Sequence, residues 1–129
     1  MRVKEAIFIG LGGALGALSR YGIGTLAKSI SSSPLPIGTF VANMIGCFTI
    51  GLIAALASES SYISKELQAP LTIGFLGGLT TFSSFSYETI RLLETQDWRY
   101  GLVNVLGNIL VGLGMTMTGI LIAKRWLAV

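Results

Sequence analysis

The chain has 129 residues, is 52% hydrophobic and 12% charged, and carries a net charge of +3. That length suits one domain over 1–129, and the charge content lies well below the roughly 25% of ordinary soluble domains. So small a net charge leaves no nucleic-acid footprint, no phosphate-cradling loop ends in Lys-Ser or Lys-Thr to hold a nucleotide, and without histidine no nucleophile–base–orienter set for an enzyme can be assembled.

The charges are unevenly placed. Arg20 is the only one within 6–27, none falls within 37–57 or 100–123, and 67–93 holds Glu88 and Arg91. Each run meets the requirement of about 20 residues for a spanning helix. The pattern predicts an all-α integral membrane protein with four transmembrane helices and short connections. Arg2 and Lys4 ahead of the first run resemble a signal peptide, but no soluble domain follows a plausible cleavage site, so the run reads as the first span.

That span is rich in glycine. Gly12 and Gly16 form a small-xxx-small pair that lets helix backbones approach, within one chain or between two. Arg20 lies about 10 Å from the span's end at ~1.5 Å per residue, within snorkelling range. Ser31–Ser33, Pro34 and Pro36 form the first loop. In the second span Thr39 and Asn43 stand one turn apart on one face. Asn43 can serve as a helix–helix hydrogen bond or as a pore group. Cys47 is the only cysteine and forms no intrachain disulfide.

The third run, 67–93, would reach about 40 Å as one helix, beyond a ~30 Å hydrocarbon core. A break at Gly77-Gly78 uses the surplus. It would free carbonyls that suit hard cations and N–H groups that suit anions, unless the glycines only permit a close helix crossing. Beyond it Phe82, Phe85 and Thr89 recur at helical spacing among Thr80, Thr81, Ser83, Ser84 and Ser86, with Glu88 near the stripe. Glu88 can snorkel, join an ion pair or sit at a pore end. In the fourth span Asn104 and Asn108 share a face that Thr116 continues, with Gly112 leaving a gap between them. Neutral amide and hydroxyl donors at membrane depth suit a small anion that must shed water.

Four spans place Arg2, Lys4, Lys65, Lys124 and Arg125 on one side of the bilayer, against Lys28, Arg91, Arg99 and Arg20 on the other. Five against four sets no orientation by the positive-inside rule. No internal repeat is present, so any symmetry must come from a second chain.

These residues resemble the Fluc fluoride channels, small bacterial membrane proteins with four spans. The similarity runs through Gly-Ala-Leu-Gly-Ala-Leu-Ser-Arg-Tyr at 13–21, Gly-Thr-Phe-Val-Ala-Asn-Met-Ile-Gly at 38–46 and Asn-Val-Leu-Gly-Asn at 104–108. Its most specific segment is Gly-Gly-Leu-Thr-Thr-Phe-Ser-Ser-Phe-Ser-Tyr-Glu at 77–88. The resemblance implies an antiparallel, dual-topology homodimer in the bacterial inner membrane, with the third helix broken near Gly77–Thr80 and two fluoride pores at the subunit interface. It implies a central Na⁺ held by the main-chain carbonyls of Gly77 and Thr80 from both subunits. Asn43 matches the family's pore asparagine, and Phe82 and Phe85 match its fluoride-facing phenylalanines. Thr39, Ser83, Asn104 and Asn108 match the hydroxyl and amide track, Arg20 a pore vestibule, and Glu88 the family carboxylate.

Two other functions fit a small polytopic chain. A proton-coupled multidrug antiporter needs a mid-span carboxylate, which the first, second and fourth runs lack. A non-transporting assembly subunit would need only the glycine-rich spans.

Overall fold

The computed structural model describes residues 3–59 and 62–128, with Glu59 as backbone only. Arg2 lies outside the described residues. Every regular element among them is helical. Helix α1 is Val3–Ile30 and α2 is Ile37–Glu59. Next come α3 (Lys65–Ala69), a π-helical stretch (Pro70–Leu76), α4 (Gly77–Leu79) and α5 (Phe82–Thr95). The chain closes with α6 (Trp98–Leu106), a second π-helical stretch (Gly107–Val111) and α7 (Gly112–Leu127). By length and composition three helices can cross a membrane: Val3–Ile30, Ile37–Ser58 and Trp98–Leu127.

The remaining run, 67–93, is not one helix. Pro70 has no N–H for the α-helical ladder, and the chain takes the wider π register from there to Leu76. The helix then stops at Thr80 (φ −85°, ψ 156°) and Thr81 (φ −154°, ψ 119°), both extended. The break thus falls at Thr80-Thr81, at the far end of the Gly77–Thr80 stretch that the resemblance implies and beyond the Gly77-Gly78 pair, and both glycines are helical. Two hydroxyl residues make the better boundary. The Thr80 N–H closes the preceding turn on the Leu76 carbonyl at 2.9 Å, and the Thr81 hydroxyl caps α5 by accepting the Ser84 N–H at 3.2 Å.

Packing explains why Gly78 stays helical. A β-carbon on Gly78 would run into the Gly13 carbonyl of α1, and one on Gly16 into the Phe75 carbonyl. A β-carbon on Gly12 would meet the Pro70 carbonyl at 2.6 Å. The small-xxx-small pair therefore seats α1 on 70–79 within the same chain. Around this crossing Ala42, Leu76 and Leu79 are buried, with Ile23, Ile50, Ile53 and Phe75 packed against them.

Helix α2 packs chiefly on α7. Gly112, which the sequence reading treats as a gap in a polar face, is buried, and a β-carbon there would stand 3.4 Å from Met44 Cε and Cys47 Sγ. It serves this helix contact.

Candidate functional site

The site grows from the break. A continued helix would give the Thr81 N–H to the Gly77 carbonyl and the Ser84 N–H to the Thr80 carbonyl. Here the Thr81 N–H donates to Asn43 Oδ1 at 2.9 Å, and the Ser84 N–H goes to the Thr81 hydroxyl. Two side chains thereby divert the helical donors of Gly77 and Thr80. The same Asn43 donates from Nδ2 to the Thr81 carbonyl at 3.4 Å and to Asn108 Oδ1 at 3.2 Å. Its amide grips both polar groups of one extended peptide residue, as a neighbouring strand would.

One face of α2 supplies this clamp. Asn43 and Gly46 lie three residues apart, and a β-carbon on Gly46 would collide with the Thr80 methyl group. Gly46 makes room for one threonine while Asn43 holds the next. Beside them a groove of about 420 Å³ is bordered by Asn43, Gly77, Thr80, Phe82, Phe85 and Asn108 among others. The rings of Phe82 and Phe85 are 5.5 Å apart and inclined at 50°. Phe82 is 79% exposed in the single chain. Ser83, also exposed, has its hydroxyl 3.2 Å from that of Thr81.

The fourth-span amides continue from Asn43. Asn108 donates to the Asn104 carbonyl at 2.9 Å and to Asn104 Oδ1 at 3.2 Å. Asn104, 4% exposed, donates to the Thr89 hydroxyl at 2.8 Å. Asn108 sits in the wide Gly107–Val111 turn, the kind of irregularity that recurs at functional sites.

Thr39 and Glu88 form a separate polar cluster. The Thr39 hydroxyl donates to Glu88 Oε1 at 2.8 Å, and Glu88 Oε2 is buried with no hydrogen-bond partner among the described residues. This pair borders a cavity of about 320 Å³ shared with Lys28 and the Ser31–Pro36 loop. Thr39→Val should lower folded stability by about 2 kcal/mol, because it removes a hydrogen bond to a part-buried carboxylate. Thr39→Ser should restore it. Thermal melts in detergent would test the pair, and equal melting of all three proteins would refute it. Arg20 is half-buried on α1 and borders neither this cavity nor the Asn43 groove.

The structure thus brings Asn43, Phe82, Phe85, Ser83, Asn104, Asn108, Gly77 and Thr80 to the break, joins Thr39 to Glu88, and leaves Arg20 apart. Sequence reasoning missed the capping and clamped role of Thr81 and the part of Thr89 as acceptor for Asn104. The available signal for Thr89 was its place four residues after Phe85 on a hydroxyl-rich helix.

An all-helical chain with three bilayer-length apolar helices and amides gathered at a helix break is a multi-pass membrane protein. Residues 7–120 match the family described as "CrcB-like protein, Camphor Resistance (CrcB)". A Geotalea daltonii protein named "Fluoride-specific ion channel FluC" is 49% identical over 122 residues, covering 95% of this chain and 98% of that one. Proteins of the same name from Geobacter metallireducens and Sorangium cellulosum are 47% and 40% identical, covering 92% and 98% of this chain and 96% and 99% of theirs. The chain belongs to the CrcB-like family, whose members here carry the name of an ion channel rather than an enzyme.

Proposed function

We propose that this chain is a passive, fluoride-selective channel that exports F⁻ across the bacterial inner membrane. The chain crosses four times, the broken 65–95 segment supplying the third crossing. Two copies pair in antiparallel fashion and enclose two pores. The observation that carries the reading is the gathering of Asn43, Phe82, Phe85 and Asn108 around one groove at a clamped helix break.

Fluoride is small and strongly hydrated, so a pore must replace water's hydrogen bonds closely. The two donor contacts of Asn43, at 3.4 and 3.2 Å, are longer than the ~2.9 Å of a well-formed N–H···O bond, and an anion can compete for them. Ser83, Asn104 and Asn108 extend the polar track. The Phe82 and Phe85 rings offer positive edges, a contact weak enough to let the ion leave. Among the described residues no lysine or arginine borders the groove. Thr39, whose proton goes to Glu88, belongs to one end of the path, and Arg20 to a vestibule.

The Na⁺ expected at Gly77 and Thr80 fits the donor set. Among the described residues no group of three His, Cys, Asp or Glu side chains could hold a metal. The carbonyls of Gly77 and Thr80 have had their helical donors diverted, and such oxygens suit a hard monovalent cation. When bound there, the ion would supply positive charge near the anion path and join two chains. The exposure of Phe82 and Gly77 in one chain supports a subunit interface over them.

Liposomes holding only this purified chain should release F⁻ rapidly and Cl⁻ negligibly. Phe82→Ile should slow F⁻ release at least about tenfold, corresponding to ~1.4 kcal/mol of lost ion stabilisation, with the dimer unchanged on gel filtration. A well-folded wild-type dimer that releases no F⁻ would overturn the function. Full flux through Phe82→Ile would overturn the assignment of the ring.

A further inference from the structure

Five hydrogen bonds at the break share one direction. The Thr81 N–H donates to Asn43 Oδ1 at 2.9 Å, and Asn43 Nδ2 donates to Asn108 Oδ1 at 3.2 Å. Asn108 Nδ2 donates to Asn104 Oδ1 at 3.2 Å, and Asn104 Nδ2 to Thr89 Oγ1 at 2.8 Å. The Thr89 hydroxyl completes the series on the Phe85 carbonyl at 2.7 Å. The series leaves the chain just before α5, crosses α2 and the Trp98–Leu127 helix, and returns to α5 two turns later. The residues it straddles include Phe82, Ser83 and Phe85.

We infer that Thr89 is a positioning residue for the ion path, acting as the far anchor of this strap rather than touching the ion. Thr89 is the member that ties another helix back to α5. Its oxygen accepts the Asn104 amide while its proton goes to the carbonyl of Phe85. Each amide in the series uses its oxygen for the donor before it and an N–H for the acceptor after it, so polarisation at one end strengthens the next bond. Asn104, Thr89 and Thr81 are 4%, 7% and 8% exposed, so water is a poor substitute for a lost partner. Without the Thr89 oxygen, the Asn104 amide must turn to find an acceptor. Asn108 Nδ2 then keeps its 2.9 Å bond to the Asn104 main-chain carbonyl but loses the side-chain bond that sets the plane of its amide, and the hold on Asn43 and Thr81 slackens. The inference rests on the channel reading for its functional consequence and on geometry alone for the strap.

The test compares the wild type with Thr89→Val, which keeps the shape and removes the hydroxyl, and with Thr89→Ser, which restores it. Two readouts are taken on the reconstituted full chain: F⁻ efflux, and amide hydrogen exchange at Thr81. Thr89→Val should exchange at Thr81 at least about tenfold faster and release F⁻ at least about tenfold more slowly, with Thr89→Ser within about threefold of wild type on both. Wild-type exchange at Thr81 in Thr89→Val overturns the strap. Equal losses in Thr89→Ser and Thr89→Val also overturn it, because the methyl contact would then be what matters. If Thr89→Val does not fold, Thr89→Val with Asn104→Leu removes the orphaned amide, and unchanged exchange and flux in that pair overturn the proposal. A wild-type chain that releases no F⁻ defeats the channel reading instead, and the exchange at Thr81 still decides the strap.

Discussion

Asn43→Ala is expected to reduce F⁻ release by about a hundredfold and to destabilise the folded chain by about 3 kcal/mol. The substitution removes the partner of the Thr81 N–H and of Asn108 Oδ1 and one contact of the Thr81 carbonyl. Leaving a buried polar group unpaired costs about 1–3 kcal/mol, and Thr81 is buried. Released from Asn43, the Thr81 N–H can return to the Gly77 carbonyl, which would heal the helix and remove the extended residues that shape the groove. Asn43→Asp separates the two halves of the clamp. It keeps an acceptor for the Thr81 N–H but sets a carboxylate against the Thr81 carbonyl and Asn108 Oδ1. Its melt should lie at or below that of the alanine variant, because the part-buried carboxylate faces two acceptor oxygens, while F⁻ release falls as far. Melting in detergent beside liposome efflux makes the comparison, and wild-type flux in either variant would sink the clamp as a conduction element.

The second large effect concerns folding. Gly16→Ala and Gly78→Ala should each cost at least about 3 kcal/mol, the upper part of the usual overpacking range. The new β-carbon at Gly16 meets the Phe75 carbonyl and lies 2.8 Å from the Leu79 nitrogen. At Gly78 it meets the Gly13 carbonyl and lies 3.1 Å from the Ala17 nitrogen. All four are backbone atoms, so no rotamer change relieves the clash and α1 must lift away from 70–79. Gly22 is the internal control, since a β-carbon there meets nothing within 4 Å. Gly22→Ala should be neutral or stabilising by up to about 1 kcal/mol through helix propensity. Fluorescence-detected gel filtration after heating ranks the three, and similar melting of Gly16→Ala and Gly22→Ala would contradict the crossing.

Three apolar helices were legible from charge placement because charge is what a bilayer excludes most strongly. Val3–Ile30, Ile37–Ser58 and Trp98–Leu127 enclose the runs 6–27, 37–57 and 100–123. The break was legible in kind but displaced in position. Glycine permits a bend, yet Gly78 is needed for a helix crossing, and that need depends on Gly13, which only the fold brings near. Thr81 has its own capping bond and an outside partner, so the boundary falls beside it. The site was legible in parts. Periodicity placed Asn104 with Asn108, and Phe82 with Phe85, each on one helix face. Bonds across 38 residues, Asn43 to Thr81, or 49, Thr39 to Glu88, leave no periodic trace in a single chain. Family resemblance named the groove residues in advance, and periodicity placed Thr89 on the Phe82–Phe85 stripe, while its bond to Asn104 and the two wide turns emerge only in the fold.

The wide turn at Gly107–Val111 has a consequence for how this helix tolerates insertion and deletion. A π turn takes up one more residue than an α turn, so it advances the sequence by about 100° relative to the helix on either side. Gly112 and Gly119, buried in α7, keep one angular phase, and Asn104, in α6, keeps another. Removing a single residue from 107–111 would regularise the ladder and improve the helix as a helix. It would also swing Asn104 by about 100° around the axis, away from Thr89, while α7 stayed seated on α2. The irregular turn is a vernier between a structural scale and a functional one, and its value lies in being one residue out of step.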